Sequence, residues 1–221
     1  MQRITEKITS IHSGYKPTMW CFPAHFNTVT LAVFQKCVPV NYKREILKTQ
    51  DGGLLAIDWN NLEDSKNKLI LLILPGLTGC SKDNYVTHFV DKAKKNGCKA
   101  IVMNYRGIEV ELMTPRTYCA TNYEDLHLVV NHVHNRYKDH KIMAVGVSLG
   151  GIKLGGYLAK HSNDVHISYA MIVSAPFNIF YSAEEMELSR NFYTFNKHCA
   201  RRLGAYFNRL VQYFCLSYQL N

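Results

Sequence analysis

The chain has 221 residues, of which 47% are hydrophobic and 19% charged, which is typical of one globular domain and excludes a disordered or low-complexity protein. The net charge of +9 permits attraction to phosphate-rich surfaces, either nucleic acid or anionic lipid, without choosing between them. The longest dense apolar stretch, 69–77, is shorter than the roughly 20 residues that cross a bilayer. The seven cysteines lack a CxxC pair, which predicts reduced thiols facing the cytosol and excludes a disulfide framework or zinc site.

Residues 1–40 are predicted to form an N-terminal arm. This segment holds three of the six prolines, its periodicity is weak, and it begins without the apolar segment of a secretory signal. A β-hairpin is predicted next, with strands over 42–49 and 54–59. The intervening Gln50-Asp51-Gly52-Gly53 has the composition of a turn.

From residue 69 onward, predicted strands and helices alternate. Strands are predicted over 69–74, 100–103, 142–145 and 167–173, with helices around 85–95, 123–137 and 152–158. This alternation predicts an α/β fold with a mostly parallel, doubly wound sheet. We therefore expect a core domain over 41–176, followed by a helical segment over 177–221.

The motif that carries chemistry is Gly146-Val147-Ser148-Leu149-Gly150-Gly151, between a predicted strand and a predicted helix. It matches G-x-S-x-G in the strand-turn-helix setting of a nucleophile elbow. Gly146 and Gly150 are needed there because the strand and helix backbones pass closely. Ser148 then lies on a strained bend at a helix N-terminus, as expected for a catalytic nucleophile. The alternative is a glycine-rich turn with an incidental serine, or a phosphate-binding loop, although Walker A spacing is absent.

Acyl transfer also needs two hydrogen-bond donors for an oxyanion. The first predicted donor is the backbone amide of Leu149, directly after the nucleophile. The second is the amide of Leu77, in the Pro-Gly-Leu-Thr-Gly loop that follows the strand over 69–74. The alternative is that this loop merely ends a strand. Arg106 and Arg116 are predicted either to orient the loops around the pocket or to form salt bridges.

Beyond the elbow, the segments LILPGLTGCSKDNYV, VMNYRG, LMTPRTYCATNYEDL and AVGVSLGG carry a family resemblance. Together with YKPTMWCFPAHFNT and DGGLLAIDW, they resemble the branch of the α/β-hydrolase superfamily that contains α/β-hydrolase domain-containing proteins 1 and 3. The resemblance implies an α/β-hydrolase fold and a serine hydrolase of lipid esters, either a phospholipase or an acylglycerol lipase, with Ser148 as nucleophile. It implies no cofactor and no metal, and it places the protein on an intracellular membrane through an N-terminal anchor.

The sequence departs from this family pattern at both ends. The N-terminal membrane helix of the family is absent before YKPTMWC, so membrane attachment by that anchor is not expected and a cytoplasmic location is the alternative. Only 73 of the 221 residues follow Ser148, whereas the family carries its triad acid and histidine after two further strands. We therefore expect the C-terminal strands of the fold to be missing and leave the triad acid and histidine unassigned. The downstream candidates are Asp164, Glu184, Glu185 and Glu187 for the acid and His161, His166 and His198 for the base.

A basic amphipathic helix is predicted near the C-terminus. Its predicted apolar face comprises Phe192, Phe195, Cys199, Leu203, Tyr206, Phe207, Leu210 and Phe214. Its cations are Arg190, Lys197, Arg201, Arg202 and Arg209. In the family this position corresponds to a lid, where cations can meet lipid phosphate at an anionic membrane surface; packing on the sheet is the alternative.

Two rivals to a serine hydrolase come from other functional classes. A truncated, catalytically inactive chain would act as a lipid-surface or partner-binding module. Nucleic-acid binding is disfavoured because the sequence lacks a helix-turn-helix, a zinc motif and aromatic RNA-binding strands.

Overall fold

The computed structural model describes residues 37–60, 67–162 and 164–219. The strands are β1 (Tyr42–Lys48), β2 (Leu54–Asn60), β3 (Leu69–Leu74), β4 (Lys99–Asn104), β5 (Lys141–Val147) and β6 (Ile167–Val173). The helices are α1 (Asn84–Lys95), α2 (Glu124–Arg136), α3 (Leu149–Lys160), α4 (Ile179–Glu187), α5 (Ser189–Asn191) and α6 (Lys197–Gln219), with a π-helical turn over Phe192–Asn196. Residues 1–36 of the predicted arm lie outside the described residues.

The described strands form one sheet of order β1-β2-β4-β3-β5-β6. The predicted hairpin is confirmed, because β1 pairs with β2 in antiparallel register and the Thr49 amide donates to the Gly53 carbonyl at 2.8 Å. β2 also pairs antiparallel with β4, whereas the β4–β3, β3–β5 and β5–β6 pairs are parallel. The prediction of a mostly parallel sheet is therefore confirmed.

The core lies on both faces of the sheet, which explains why β3 is apolar throughout. Ile70, Leu72 and Leu74 pack in one cluster with residues of α2 and α3, whereas Leu71 and Ile73 pack in another with residues of α1. Because successive side chains of a strand point to opposite faces, a strand covered on both faces needs apolar residues at every position.

Strand β6 is the exception to this pattern of burial. Its sequence is as apolar as that of a buried strand, yet Tyr169 and Met171 are 52% and 54% exposed. Among the described strands, β6 pairs only with β5, and α4, which follows it, contains no buried residue. Burial of this strand is therefore set by its neighbours and not by its composition.

The C-terminal helix begins later than predicted and packs on a narrower face. α6 starts at Lys197, after α5 and the π-helical turn. Leu203, Tyr206 and Leu210 pack against the core, so the packing alternative holds for these three residues. Cys199 and Phe207 of the predicted apolar face are exposed, so the packing alternative does not hold for these two residues. Phe207 is rotated by about 100° around the helix axis from the buried Tyr206, which turns it away from the core. The side chain of Phe214, also predicted on the apolar face, lies outside the described residues.

A bilayer-spanning helix is not found among the described segments, since none is both long and apolar enough.

Candidate active site

Ser148 joins the end of β5 to the start of α3 in a conformation that is rare for a residue with a side chain. Its φ is 53° and its ψ is −116°, a region that costs a non-glycine residue about 1–3 kcal/mol. The Ser148 amide donates to the Val173 carbonyl at 2.9 Å, and the Ser148 carbonyl accepts from the Gly151 and Ile152 amides. The side chain is half-buried, and its hydroxyl bonds to no described residue. The bend is thus held by backbone contacts while the hydroxyl remains available.

The glycines of the elbow are required by the close approach of neighbouring backbones. A Cβ atom on Gly146 would collide with the carbonyl of Gly150. A Cβ atom on Gly150 would collide with the Leu74 carbonyl oxygen and lie 2.6 Å from that of Pro75. Neither obstacle is a flexible side chain, so any larger residue must displace the main chain.

The loop over 75–79 lies beside Ser148 because the strands that precede the two segments are paired. The parallel register of β3 and β5 aligns Leu74 with Gly146. A Cβ atom built on Gly76 would lie 3.4 Å from the Ser148 Cβ atom. The tertiary structure therefore brings the loop of Leu77 next to the nucleophile candidate.

Two tyrosine hydroxyls hold the peptide groups on either side of Leu77. The Gly76 amide donates to Tyr85 Oη at 2.9 Å, and the Thr78 amide donates to Tyr118 Oη at 3.2 Å. Burial raises the pKa of Tyr85 to about 12, so this hydroxyl is protonated at neutral pH. The amides that flank Leu77 are thus already bonded within the protein.

The Leu77 amide, in contrast, bonds to no described residue. The Gly76 carbonyl accepts from the Gly79 amide at 3.0 Å, and in a planar trans peptide the Leu77 N–H points away from that carbonyl. The Leu149 amide is in the first turn of α3, where backbone N–H groups lack intrahelical acceptors. It also bonds to no described residue. Both predicted donors are therefore free to bind an anion.

The sequence analysis missed the tyrosines that support this loop. Tyr105 Oη donates to the Pro75 carbonyl at 2.8 Å, and the Tyr105 ring stacks on that of Tyr118 with centroids 4.9 Å apart. Tyr206 of α6 continues the cluster, 5.4 Å from Tyr118, and donates to the Arg106 carbonyl at 2.9 Å. Tyr85 lies within a segment that resembles the family, but no spacing in the sequence marks a tyrosine as a backbone support.

The histidine and acid candidates do not meet Ser148. His166 precedes β6, whereas the Ser148 amide bonds to Val173 at the other end of that strand, about 20 Å away. His161, at the end of α3, stacks on His127, and Glu185 pairs with Arg190 at 3.5 Å. None of the candidates named from the sequence bonds to the Ser148 hydroxyl in the described part of the chain. In those same ranges no cluster of three or more potential metal-binding side chains occurs.

Arg106 and Arg116 form salt bridges, which confirms one of the two predicted roles. Arg106 is 2% exposed and binds both Asp51 and Asp125, while Arg116 binds Glu124 at 2.7 Å. A cavity of about 600 Å³ adjoins this network. None of its lining residues belongs to the elbow or to the loop over 75–79, so this cavity is separate from the candidate site.

Lys153 is a second buried cation that the sequence analysis missed. Its side chain lies one turn into α3, donates to the Asn122 carbonyl and sits 5.9 Å from the centre of the Tyr105 ring. Burial lowers the pKa of Lys153 to about 8. The sequence shows only that Lys153 lies among apolar and small residues of the predicted helix. A lysine in such a helix can also extend its ammonium group to solvent, so this pattern does not predict burial.

Comparisons with known proteins show the family of the chain. A family model described as an alpha/beta hydrolase of unknown function (DUF915) matches residues 76–214. Human phospholipase ABHD3 is 36% identical over 202 residues, covering 88% of this chain and 49% of that protein. Mouse phospholipase ABHD3 is 39% identical over 189 residues, covering 82% and 46%. The chain thus spans about half the length of these curated relatives.

A solved structure resembles the fold at low sequence identity. The esterase Pf2001 of Pyrococcus furiosus superposes with a TM-score of 0.57 at 18% identity, covering 79% of this chain and 66% of the esterase. This similarity shows a shared fold. It says nothing about the substrate of this chain.

Proposed function

Since the chain belongs to the alpha/beta hydrolase family whose model matches residues 76–214, we propose that it is a serine hydrolase of carboxylic esters that acts on phospholipids or acylglycerols. The observation that carries this proposal is the strained backbone of Ser148, with φ 53° and ψ −116°, beside the free amides of Leu77 and Leu149. The phospholipase names of the relatives support lipid esters as the substrate class.

The proposed reaction proceeds in two displacement steps. Ser148 Oγ attacks the ester carbonyl carbon, and the amides of Leu77 and Leu149 bind the negative oxygen that forms. The proton of the Ser148 hydroxyl passes through a general base to the departing alcohol as the ester C–O bond breaks. Water then attacks the acyl carbon, the bond between that carbon and Ser148 Oγ breaks, and a proton from the water returns to Oγ as the fatty acid leaves. Among the described residues, no side chain that could accept this proton is bonded to Ser148 Oγ.

Fluorophosphonate labelling of the purified chain tests the proposal, because this reagent reacts with an activated serine without requiring the natural substrate. We expect stoichiometric labelling that is abolished by Ser148→Ala. Ser174→Ala is the matched control. Ser174 also directly follows a strand and has a positive φ, 51°, but no glycine-rich helix begins after it. We expect this substitution to leave labelling unchanged. A folded chain that is not labelled would instead favour the lipid-surface or partner-binding module.

We also propose that the basic residues of the C-terminal region face an anionic membrane surface. Arg201 and Arg209 of α6 are exposed, and each cation near such a surface contributes about 1 kcal/mol. Binding to phosphatidylserine vesicles, measured by cosedimentation, is expected to weaken with rising salt and with the double variant Arg201→Gln, Arg209→Gln. Equal binding to neutral phosphatidylcholine vesicles would contradict the proposal.

A further inference from the structure

Arg202 differs from the other cations of the C-terminal region because it reaches the loop over 75–79. Its Nη2 atom donates to the Thr78 carbonyl at 3.2 Å. Arg190 instead pairs with Glu185, and the Lys197 ammonium lies 4.8 Å from the centre of the Tyr193 ring. The position of α6 therefore brings Arg202 next to the loop that adjoins Ser148.

The charge of Arg202 is only loosely neutralised. The nearest oxygen of its carboxylate partner, Asp83 Oδ1, is 3.6 Å from Nη2, and the side chain is 46% exposed. The other oxygen of Asp83 accepts from the Cys80 amide at 3.2 Å. Because a guanidinium carries five N–H donors, Arg202 retains donors for a ligand. The other nearby cation, Lys82, is already paired with Glu109 at 2.7 Å.

Arg202 is also close to the proposed reacting atoms. Thr78, whose carbonyl it binds, directly follows Leu77, and consecutive Cα atoms are about 3.8 Å apart. In a glycerophospholipid only the glycerol carbons and their ester oxygens separate the phosphorus from the ester carbonyl carbons. An ester carbonyl on the Leu77 amide therefore places the phosphate of the same molecule within reach of the Arg202 guanidinium.

We propose that Arg202 binds the phosphate of a glycerophospholipid whose ester lies at Ser148, and that it determines the preference for phospholipids over acylglycerols. This inference rests on the proposed function and narrows its substrate class. A guanidinium offers two parallel N–H donors that match two phosphate oxygens. A neutral acylglycerol has no anionic group for these donors, so the charge-assisted contact of Arg202 is made only with the phospholipid.

Calorimetric titration of the whole chain with short-chain, water-soluble lipids tests the inference. Every protein carries Ser148→Ala, so that binding is measured without turnover. The ligands are dihexanoylphosphatidylcholine, dihexanoylglycerol, and glycerophosphocholine, which has the phosphate but no acyl chains. Arg202→Gln is compared with Arg136→Gln, which removes the same charge at the end of α2 from a side chain that is 47% exposed and pairs with Glu45 at 2.9 Å.

We expect the phospholipid to bind at least about tenfold more tightly than either other ligand. Arg202→Gln is expected to weaken phospholipid binding by about tenfold or more and to change the binding of dihexanoylglycerol, which lacks the phosphate, by less than about twofold. Arg136→Gln is expected to change none of the three affinities by more than about twofold. Circular dichroism spectra confirm that each variant is folded.

Four results would overturn the inference. The first is unchanged phospholipid binding by Arg202→Gln, and the second is an equal loss with Arg136→Gln. The third is binding of glycerophosphocholine as tight as that of the phospholipid, which would indicate a soluble phosphate ester as ligand. The fourth is failure to bind any of the three ligands. Fluorophosphonate labelling needs no lipid, so the two proposals can fail separately. If the chain is labelled but shows one of these results, the proposed serine hydrolase activity stands and only the role of Arg202 is rejected.

Discussion

Replacing Gly150 with alanine is expected to lower the free energy of unfolding by at least about 3 kcal/mol, at the upper end of the range for an overpacked core. The new Cβ atom would collide with the Leu74 carbonyl oxygen and lie 2.6 Å from that of Pro75. Both obstacles belong to the main chain between β3 and the loop of Leu77, so no rotation of a side chain can relieve the collision. The helix would have to move away from the sheet, and Ser148 and the Leu149 amide would move with it.

Urea denaturation followed by circular dichroism measures this loss. Gly204→Ala is the matched control, because Gly204 lies within α6 and a Cβ atom there would meet nothing within 4 Å. That substitution is expected to raise the free energy of unfolding by up to about 1 kcal/mol, since alanine favours helix more than glycine does. If Gly150→Ala and the unaltered chain had the same denaturation midpoint, the backbones around Gly150 would have room for a Cβ atom, and this prediction would be wrong.

Replacing Arg106 with methionine is expected to destabilise the fold by about 3–5 kcal/mol, the usual result of breaking a buried ion pair from one side. Arg106 is 2% exposed, and it donates to both oxygens of Asp51 and to both oxygens of Asp125. Methionine fills a similar volume but leaves Asp125, which is 6% exposed, without its cation. The penalty comes from that stranded carboxylate more than from lost packing.

The destabilisation should depend on pH. The hydrogen bond from Arg106 holds the pKa of Asp51 well below its ordinary value of 3.8. A carboxyl whose folded pKa is depressed contributes stability above its unfolded pKa and loses that contribution as the pH falls. The difference in stability between the unaltered chain and Arg106→Met is therefore expected to be largest at neutral pH and to narrow below about pH 4.

Arg116→Met provides the comparison for this experiment. Arg116 is 40% exposed, its partner Glu124 is 71% exposed, and its distance to Asp51 is 3.8 Å. We expect a loss below about 1 kcal/mol for this surface pair. Urea denaturation at pH 7 and at about pH 2.5, below the ordinary carboxyl pKa, measures both variants. Equal losses for the two arginines would mean that burial of Arg106 does not control the energy of the network.

The elbow and the element order could be read from local patterns. The apolar run of β3, the turn composition before β2 and the glycines around Ser148 each report the backbone conformation of their own segment. The family match over residues 76–214 then agrees with the resemblance that these segments carry. The limits of α6 were misjudged because the helical spacing of apolar residues continues through the π-helical turn, where the backbone hydrogen-bond pattern changes.

The sequence by itself determined the order of strands and helices, the parallel sheet and the position of the serine, because periodicity and glycine placement act over a few neighbouring residues. The tertiary structure decided which groups surround that serine. Tyr118 meets Thr78 across 40 positions of the chain, and Arg202 meets the same residue across 124. Contacts at such separations depend on strand pairing and on the path of α6 over the sheet. The availability of the Leu77 amide among the described residues, the contact of Arg202 with its loop and the exposure of β6 therefore have no local signature.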